Sequence, residues 1–172
     1  MCLMAFAWDP RGSTTLLMVA NRDEFYARPT AAADWWQDHP DIWAGRDLAA
    51  GGTWMGITRQ GRFAAITNYR EGGRNDPAAP SRGGLVSGFL AGTSTPASYL
   101  RDLARRAEPF NGFNLVVGEL FGRTPSLWYL SHRRGHSATS PEALSAGVYG
   151  LSNAVLDTPW PKLARTKAAF EA

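Results

Sequence analysis

The only cysteine of the chain, Cys2, directly follows the initiator methionine. Methionine removal is favoured before a small side chain, so Cys2 could become the N-terminal residue, with a thiol and a free α-amine on one carbon. A thiol titrates near ~8.5 and an α-amine near ~7.7 to 8.0, so the amine can act as base for the thiol. The position therefore predicts an N-terminal nucleophile. The alternative is a small, buried residue that opens a β-strand.

A polar tetrad follows the second apolar segment of the chain, across a predicted hairpin from Cys2. It consists of Asn21-Arg22-Asp23-Glu24. A guanidinium near the thiol would lower its pKa, and a carboxylate could hold the α-ammonium or orient the arginine. We therefore expect Arg22 or Asp23 to lie beside Cys2. The alternative is a solvated, charged turn.

Two asparagines, Asn68 and Asn153, come at the ends of predicted strands. A side-chain amide at such a place can donate to a developing oxyanion, and loss of such a donor costs about 2.7 to 4 kcal/mol. Asn68 is the candidate oxyanion donor. Asparagine also ends strands because it tolerates turn conformations, and the spacing does not separate the two explanations.

The elements that must position these residues are predicted by hydrophobic patterning and turn signals. Three hairpins are expected, from residues 2–8 with 15–20, 53–59 with 62–68, and 113–120 with 127–131. A short strand is expected over 148–152, helices after Ser81, after Thr95-Pro96 and from Pro161, and loops over 28–52 and 72–80. The pattern predicts one α+β domain over residues 1–172 with antiparallel strands. Because the last helical pattern reaches Ala172 without a stop signal, we expect the C-terminal part of the domain to be missing.

Composition excludes several classes of function. The formal net charge is +3 and the arginines are scattered, which argues against a nucleic-acid partner. One cysteine excludes an intramolecular disulfide and a thiolate metal cluster. The N-terminus does not resemble a signal peptide, and no apolar run approaches the roughly 20 residues of a membrane span. We expect a cytoplasmic protein without a cofactor or membrane insertion; its oligomeric state stays open.

Several motifs in the same chain order resemble the NRDE family, also called the Transport and Golgi Organisation 2 family. They are the opening Met-Cys-Leu, the tetrad at 21–24, Trp-Ala-Gly-Arg-Asp at 43–47, Gly-Gly-Thr-Trp-Met-Gly at 51–56, Thr-Asn-Tyr-Arg at 67–70, Gly-Leu-Ser-Asn at 150–153 and Pro-Trp-Pro-Lys at 159–162. The resemblance spans nearly the whole chain.

This resemblance implies an αββα sandwich of the N-terminal nucleophile hydrolase type. The arrangement is more distantly similar to the choloylglycine hydrolase and penicillin acylase group. Carried over, Cys2 would be the nucleophile, while Arg22 and Asp23 would polarise the thiol and anchor the amine. Asn68 would form the oxyanion hole, and Asn153 would orient the substrate or the amine. That group also uses an arginine in its last third, which would lie beyond Ala172.

Two functions follow from the resemblance. The first is a hydrolase of an amide or related C–N bond in a small-molecule substrate. The second is a non-catalytic carrier of haem, an acyl-lipid or acyl-CoA in the same cleft.

The carrier hypothesis draws on aromatic residues and histidines. The tryptophans considered as cleft walls are Trp35, Trp36, Trp43 and Trp54. The candidate haem ligands are the histidines His39, His132 and His136, together with Cys2 or a methionine. Aromatic clusters are more often core, and the Arg133-Arg134-Gly135 segment between two of the histidines favours an exposed turn.

Overall fold

The structure, a computed structural model, describes residues 2–72, 75–133, 136 and 138–171. The described residues form ten strands and three helices. The strands are β1 (Leu3–Trp8), β2 (Leu16–Asn21), β3 (Thr30–Trp35), β4 (Ile42–Asp47), β5 (Met55–Thr58), β6 (Arg62–Asn68), β7 (Phe113–Glu119), β8 (Ser126–His132), β9 (Glu142–Ala143) and β10 (Gly147–Leu151). The helices are α1 (Gly83–Ala91), α2 (Pro96–Arg105) and α3 (Pro161–Glu171).

The strands form two antiparallel sheets. The small sheet has the order β10-β1-β2, and the large sheet runs β3-β4-β5-β6-β7-β8-β9 among the described residues. The chain therefore starts in the small sheet, builds most of the large sheet, and returns with β10 to pair with β1. The predicted α+β class with antiparallel strands is confirmed.

The sheets and helices pack in four layers. Helices α1 and α2 cover one face of the large sheet, where Phe89 and Leu100 pack with Leu115. The opposite face packs on the small sheet, where Phe6 of β1 lies in one apolar cluster with Val116 of β7. Alternate residues of a strand point to opposite faces. Helix α3 therefore covers the far face of the small sheet, with its Leu163 against Gly150 of β10.

The hairpin of β1 and β2 places the chain start beside the polar tetrad. Asp9 closes the connection, because its N–H donates to the carbonyl of Thr15 over 3.0 Å. The register then pairs Leu3 with Asn21. The predicted hairpin is confirmed, and it sets Cys2 next to the end of β2.

Helix α2 begins where the sequence predicts. Pro96 is its first residue, and the hydroxyl of Thr95 accepts a hydrogen bond from the N–H of Ser98 over 3.3 Å. An N-cap of this kind supplies a partner to an N–H group that has none within the helix.

The expected loop over residues 28–52 is wrong, because this stretch contains β3 and β4. Ile42 and Ala44 of β4 are buried under the helices, while Trp43 between them is exposed, so the strand alternates between faces. A register shift between Ala31 and Asp34 interrupts the pairing of β3 with β4, and every residue of β3 is exposed. The edge strand β3 thus lacks the alternation of apolar and polar residues from which a strand is predicted in a sequence. The short strand β9 was also not predicted.

The loop prediction for residues 72–80 includes Gly73 and Arg74, which lie outside the described residues, as does Ala172 in the last predicted helix. No helix of the described part combines the length and the apolar character that a membrane crossing requires.

Candidate functional site

One cavity of about 350 Å³ brings together four of the five predicted site residues. Cys2 enters from the start of β1, Arg22 and Asp23 from the end of β2, and Asn68 from the end of β6. The cavity therefore opens where the two sheets meet at one edge. Asn153 does not line it within the described part of the chain.

Cys2 is partly buried at this edge. Burial raises the pKa of the Cys2 thiol, and nearby Glu24 raises it further, while Arg22 and Lys162 oppose the shift. The thiol is consequently protonated at neutral pH, and a nucleophilic attack by its sulfur requires a base.

Arg22 is held by two contacts. Its guanidinium lies 4.3 Å from the ring centroid of Trp54, and its Nη2 is 3.2 Å from Oε2 of Glu24. A cation over an indole face is attracted by the ring quadrupole, and the carboxylate adds a charge-assisted hydrogen bond. The next residue, Asp23, accepts a hydrogen bond from Nδ2 of Asn21 over 2.7 Å. The tetrad is therefore an ordered group of side chains at the mouth of the cavity.

A second arginine–carboxylate pair, Arg28 with Asp47, lines the same cavity. Arg28 donates to Oδ2 of Asp47 from Nε over 3.0 Å and from Nη2 over 2.7 Å. Oδ1 accepts from the N–H groups of Ala49 and Ala50 over 3.0 and 3.2 Å. Burial acts to raise the pKa of Asp47, but Arg28 and these N–H groups outweigh it and hold that pKa below its usual value. Asp47 thus fixes both the turn after β4 and the arginine that follows the tetrad.

Two glycines let this turn meet helix α1. Gly51 has φ +78°, a left-handed conformation that favours glycine. A Cβ on Gly52 would lie 2.4 Å from the carbonyl carbon of Gly83, so only glycine allows this approach. The Gly-Gly pair therefore brings the start of α1 to the wall of the cavity.

Asn68 is the last residue of β6 and is exposed at the cavity. No described residue makes a hydrogen bond with its side-chain amide, so the amide can donate to a ligand. Its main-chain carbonyl accepts from Nδ2 of Asn153 over 3.0 Å. Asn153 thus holds the backbone of Asn68 instead of facing the cavity.

Arg82 is a cavity residue that sequence reasoning missed. It lies just before α1, and its Nη1 donates to the carbonyl of Gly112 over 2.9 Å. Burial lowers the pKa of the Arg82 guanidinium, which Glu71 opposes. An arginine within a Gly- and Pro-rich stretch carries no periodic signal, so its place could not be found from the sequence.

The histidines lie away from the cavity that contains Cys2. His39 lines a different cavity, and His132 and His136 line a third. The prediction that His132 is exposed is wrong, because it is the last residue of β8, only 1% exposed, with its ring centroid 5.4 Å from that of Phe113. Burial lowers the pKa of the His132 imidazole. The turn predicted between these two histidines includes Arg134 and Gly135, outside the described residues.

The tryptophans also separate in space. Trp54 alone of the four predicted tryptophans lines the cavity that contains Cys2. Trp36 is in the core, with Nε1 donating to the carbonyl of Ala44 over 3.0 Å, and Trp35 and Trp43 are exposed. The described residues contain no group of three or more histidine, cysteine or acidic side chains placed to bind a metal ion.

Comparisons with known proteins give consistent results. The family model described as "Transport and Golgi organisation 2" matches residues 1–172. The chain is 40% identical over 177 aligned positions to the "Transport and Golgi organization 2 homolog" of Mus musculus, covering 99% of this chain and 63% of that protein. The "Transport and Golgi organization protein 2 homolog" of Homo sapiens gives the same figures. The Drosophila melanogaster "Transport and Golgi organization protein 2" is 28% identical over 185 positions, covering 100% of this chain and 64% of that protein. The chain thus spans less than two thirds of the length of these relatives.

Proposed function

The chain belongs to the Transport and Golgi organisation 2 family, and on this premise we propose that it is a cysteine N-terminal nucleophile hydrolase that cleaves an amide or related C–N bond. The observation that carries the proposal is that Cys2, Arg22 and Asn68, from three separate strand ends, line one cavity. Acyl transfer uses a nucleophile and an amide that donates to the oxyanion, and a nearby cation stabilises the thiolate.

The proposed reaction begins after removal of Met1, which frees the α-amine of Cys2. The amine takes the thiol proton as Sγ forms a bond to the substrate carbonyl carbon. The C–N bond then breaks, and the same proton passes to the leaving nitrogen. Water attacks the resulting thioester, gives one proton back to the sulfur through the amine, and releases the carboxylic acid.

Three other side chains stabilise charge in this scheme. The Asn68 amide donates to the oxyanion that forms on the carbonyl oxygen. Arg22, held by Trp54 and Glu24, stabilises the sulfur as it becomes negative. Asp23 is next to Arg22 at the cavity, where its carboxylate would hold the α-ammonium.

The layer order also supports the proposal. Two helices, the large sheet, the small sheet and a third helix follow one another, as an αββα sandwich requires. The nucleophile opens a strand of one sheet, as expected for an N-terminal nucleophile fold.

The carrier hypothesis has less support. Apolar ligands occupy pockets that are mostly apolar with a few polar groups. Of the side chains that the structure describes, seven charged ones line this cavity: Arg22, Asp23, Glu24, Arg28, Asp47, Asp76 and Arg82. Among the described residues no histidine lines it, so Cys2 is the candidate haem ligand that reaches this cavity.

The proposal is tested by intact-mass spectrometry of protein expressed from its native start, before and after brief exposure to iodoacetamide at pH 7.5. We expect loss of Met1 and a single fast adduct that is absent in Cys2→Ala. Arg22→Gln should slow labelling and move its pH profile to higher pH, because a cation near the thiolate is lost.

Arg59→Gln is the matched control for Arg22→Gln. Arg59 also lies over an indole ring, 3.7 Å from the centroid of Trp35, and near a carboxylate, 3.7 Å from Oδ1 of Asp41, but it does not line the cavity. Retained Met1, or a thiol no more reactive than free cysteine, would overturn the proposed function.

A further inference from the structure

Four buried polar side chains connect the two sheets next to the cavity. They are Thr67 of β6, Asn114 of β7, Tyr129 of β8 and Ser152 just after β10, each 5% exposed or less. We call this group the polar seam. Burying a polar group costs folding free energy unless the group is hydrogen-bonded. Four such groups at one place therefore indicate a specific structural role.

Every member of the polar seam bonds to the next. The Tyr129 hydroxyl donates to Oδ1 of Asn114 over 2.7 Å, and Nδ2 of Asn114 donates to the Thr67 hydroxyl over 3.3 Å. The Thr67 hydroxyl donates to the carbonyl of Ser152 over 2.7 Å. The Ser152 hydroxyl finally donates to the carbonyl of Cys2 over 2.7 Å. These hydrogen bonds thus link the large sheet to Ser152, whose own hydroxyl binds the main-chain carbonyl of the proposed nucleophile.

We propose that the polar seam positions Cys2 against Asn68, with Ser152 as the positioning residue that holds the nucleophile. The inference rests on the proposed function, since it takes Cys2 as the reacting group. Thr67 directly precedes Asn68, so one hydroxyl ties the strand of the oxyanion donor to the residue that holds the nucleophile.

The apolar contacts between the sheets do not fix the position of Cys2 relative to Asn68 as closely as hydrogen bonds can. Phe6 of the small sheet and Val116 of the large sheet belong to one apolar cluster, but hydrophobic attraction is non-directional and tolerates small shifts. Hydrogen bonds weaken steeply when their angle or length changes. A misplacement of about 1 Å at a reacting group can reduce a rate about 100-fold. A directional hydrogen bond to Cys2 would therefore preserve the reaction rate by keeping the nucleophile in place.

The far end of the polar seam is also fixed. Nδ2 of Asn114 donates to the carbonyl of Ala154 over 2.9 Å, and the N–H of Leu156 donates to the Tyr129 hydroxyl over 3.0 Å. The segment after β10 is therefore bound to the large sheet at Ser152, Ala154 and Leu156, and Ser152 has little freedom to move.

The first measurement is the pH profile of iodoacetamide labelling at Cys2. Ser152→Ala removes one hydrogen bond to the Cys2 carbonyl and should lower the limiting rate about three- to tenfold. Thr67→Val, which breaks the preceding link, should act in the same direction, and Thr67→Ser, which keeps the hydroxyl, should restore the rate. Thr139→Val is the matched control, because its hydroxyl bonds to the backbone of Ser131 away from the cavity.

The second measurement does not depend on reactivity. Because the chain has one cysteine, [1-¹³C]cysteine gives a single carbonyl resonance. Loss of the Ser152 hydroxyl should move this resonance upfield, Thr67→Val should broaden or move it, and Thr139→Val should leave it unchanged. Circular dichroism melting of each variant shows that it remains folded at the labelling temperature.

The two measurements separate the two proposals. An unchanged resonance and an unchanged labelling rate in folded Ser152→Ala overturn the polar seam as a positioning device. A resonance that moves, in a protein whose thiol reacts like free cysteine, supports the tie but overturns the nucleophile. A rate that falls equally in Ser152→Ala and Thr139→Val, tracking stability alone, also overturns the inference.

Discussion

The Arg28–Asp47 pair should contribute more to stability than any single surface ion pair. The Asp47 side chain is 12% exposed and that of Arg28 is 35% exposed. Breaking a fully buried pair costs about 3 to 5 kcal/mol, and this is an upper bound because water can reach Arg28. Asp47→Asn keeps an acceptor for the N–H groups of Ala49 and Ala50 and should lose about 2 kcal/mol of unfolding free energy. Asp47→Ala loses that acceptor too and should lose about 3 to 4 kcal/mol.

Urea unfolding followed by tryptophan fluorescence measures these losses. A double-mutant cycle with Arg28→Met gives the coupling between the two side chains, expected at about 1 to 2 kcal/mol. Asp38→Asn is the matched control, because Asp38 bonds Arg46 at 2.6 and 2.7 Å but its side chain is 50% exposed. Its loss should be much smaller, since water screens an exposed pair.

The pH dependence of the unfolding free energy is an independent test of the contribution of Asp47. The folded-state pKa of Asp47 is below its ordinary value of 3.8, so its contribution is present above about pH 4 and is lost as pH falls through the folded pKa. Equal losses for Asp47→Asn and Asp38→Asn at pH 7, or no coupling in the cycle, would refute the reasoning.

Three further predictions concern single residues. Gly52→Ala should lose roughly 1 to 3 kcal/mol, because its Cβ would meet the backbone of Gly83; urea unfolding measures this, and an unchanged midpoint contradicts it. His132 has a lowered pKa, so stability should be complete above pH 6.5 and should decline as pH falls towards the folded pKa; His132→Leu should flatten that decline in urea midpoints taken from pH 7.5 to 5. Thr95→Ala should cost about 1 kcal/mol through loss of the N-cap bond to Ser98, whereas Thr95→Ser should be nearly neutral in the same assay.

The parts of the fold predicted from the sequence depend on local signals. The β1–β2 hairpin follows from Asp9-Pro10 and Gly12 between two apolar segments, and α2 follows from Thr95 and Pro96. These elements are confirmed because turn chemistry and capping act over a few residues. Strands β3 and β4 were missed because β4 is held by its pairing with the distant strand β5, while β3 pairs with β4 and every residue of β3 is exposed.

The residues of the candidate site also divide into those that local sequence signals predict and those that they do not. The nearness of Arg22 to Cys2 was predictable, since the register of one hairpin determines it. Arg28, Asp47 and Arg82 were not found, because they reach the cavity through turns and contacts between distant segments. The resemblance gives Asn153 the role of orienting the substrate or the amine, which stays a prediction; the structure adds that its amide donates to the Asn68 main-chain carbonyl.

The presence of Cys2 and Asn68 in one cavity is the feature least accessible to sequence reasoning. The two residues belong to different sheets, so no local turn relates them. Their separation depends on the pairing of β1 with β10, which joins residues almost 150 positions apart, and on the offset between the two sheets. Small buried groups such as Thr67 and Ser152 determine that offset while resembling ordinary strand residues in the sequence. A site built across two sheets therefore depends on polar contacts between those sheets, and these contacts become visible only when the strands are paired.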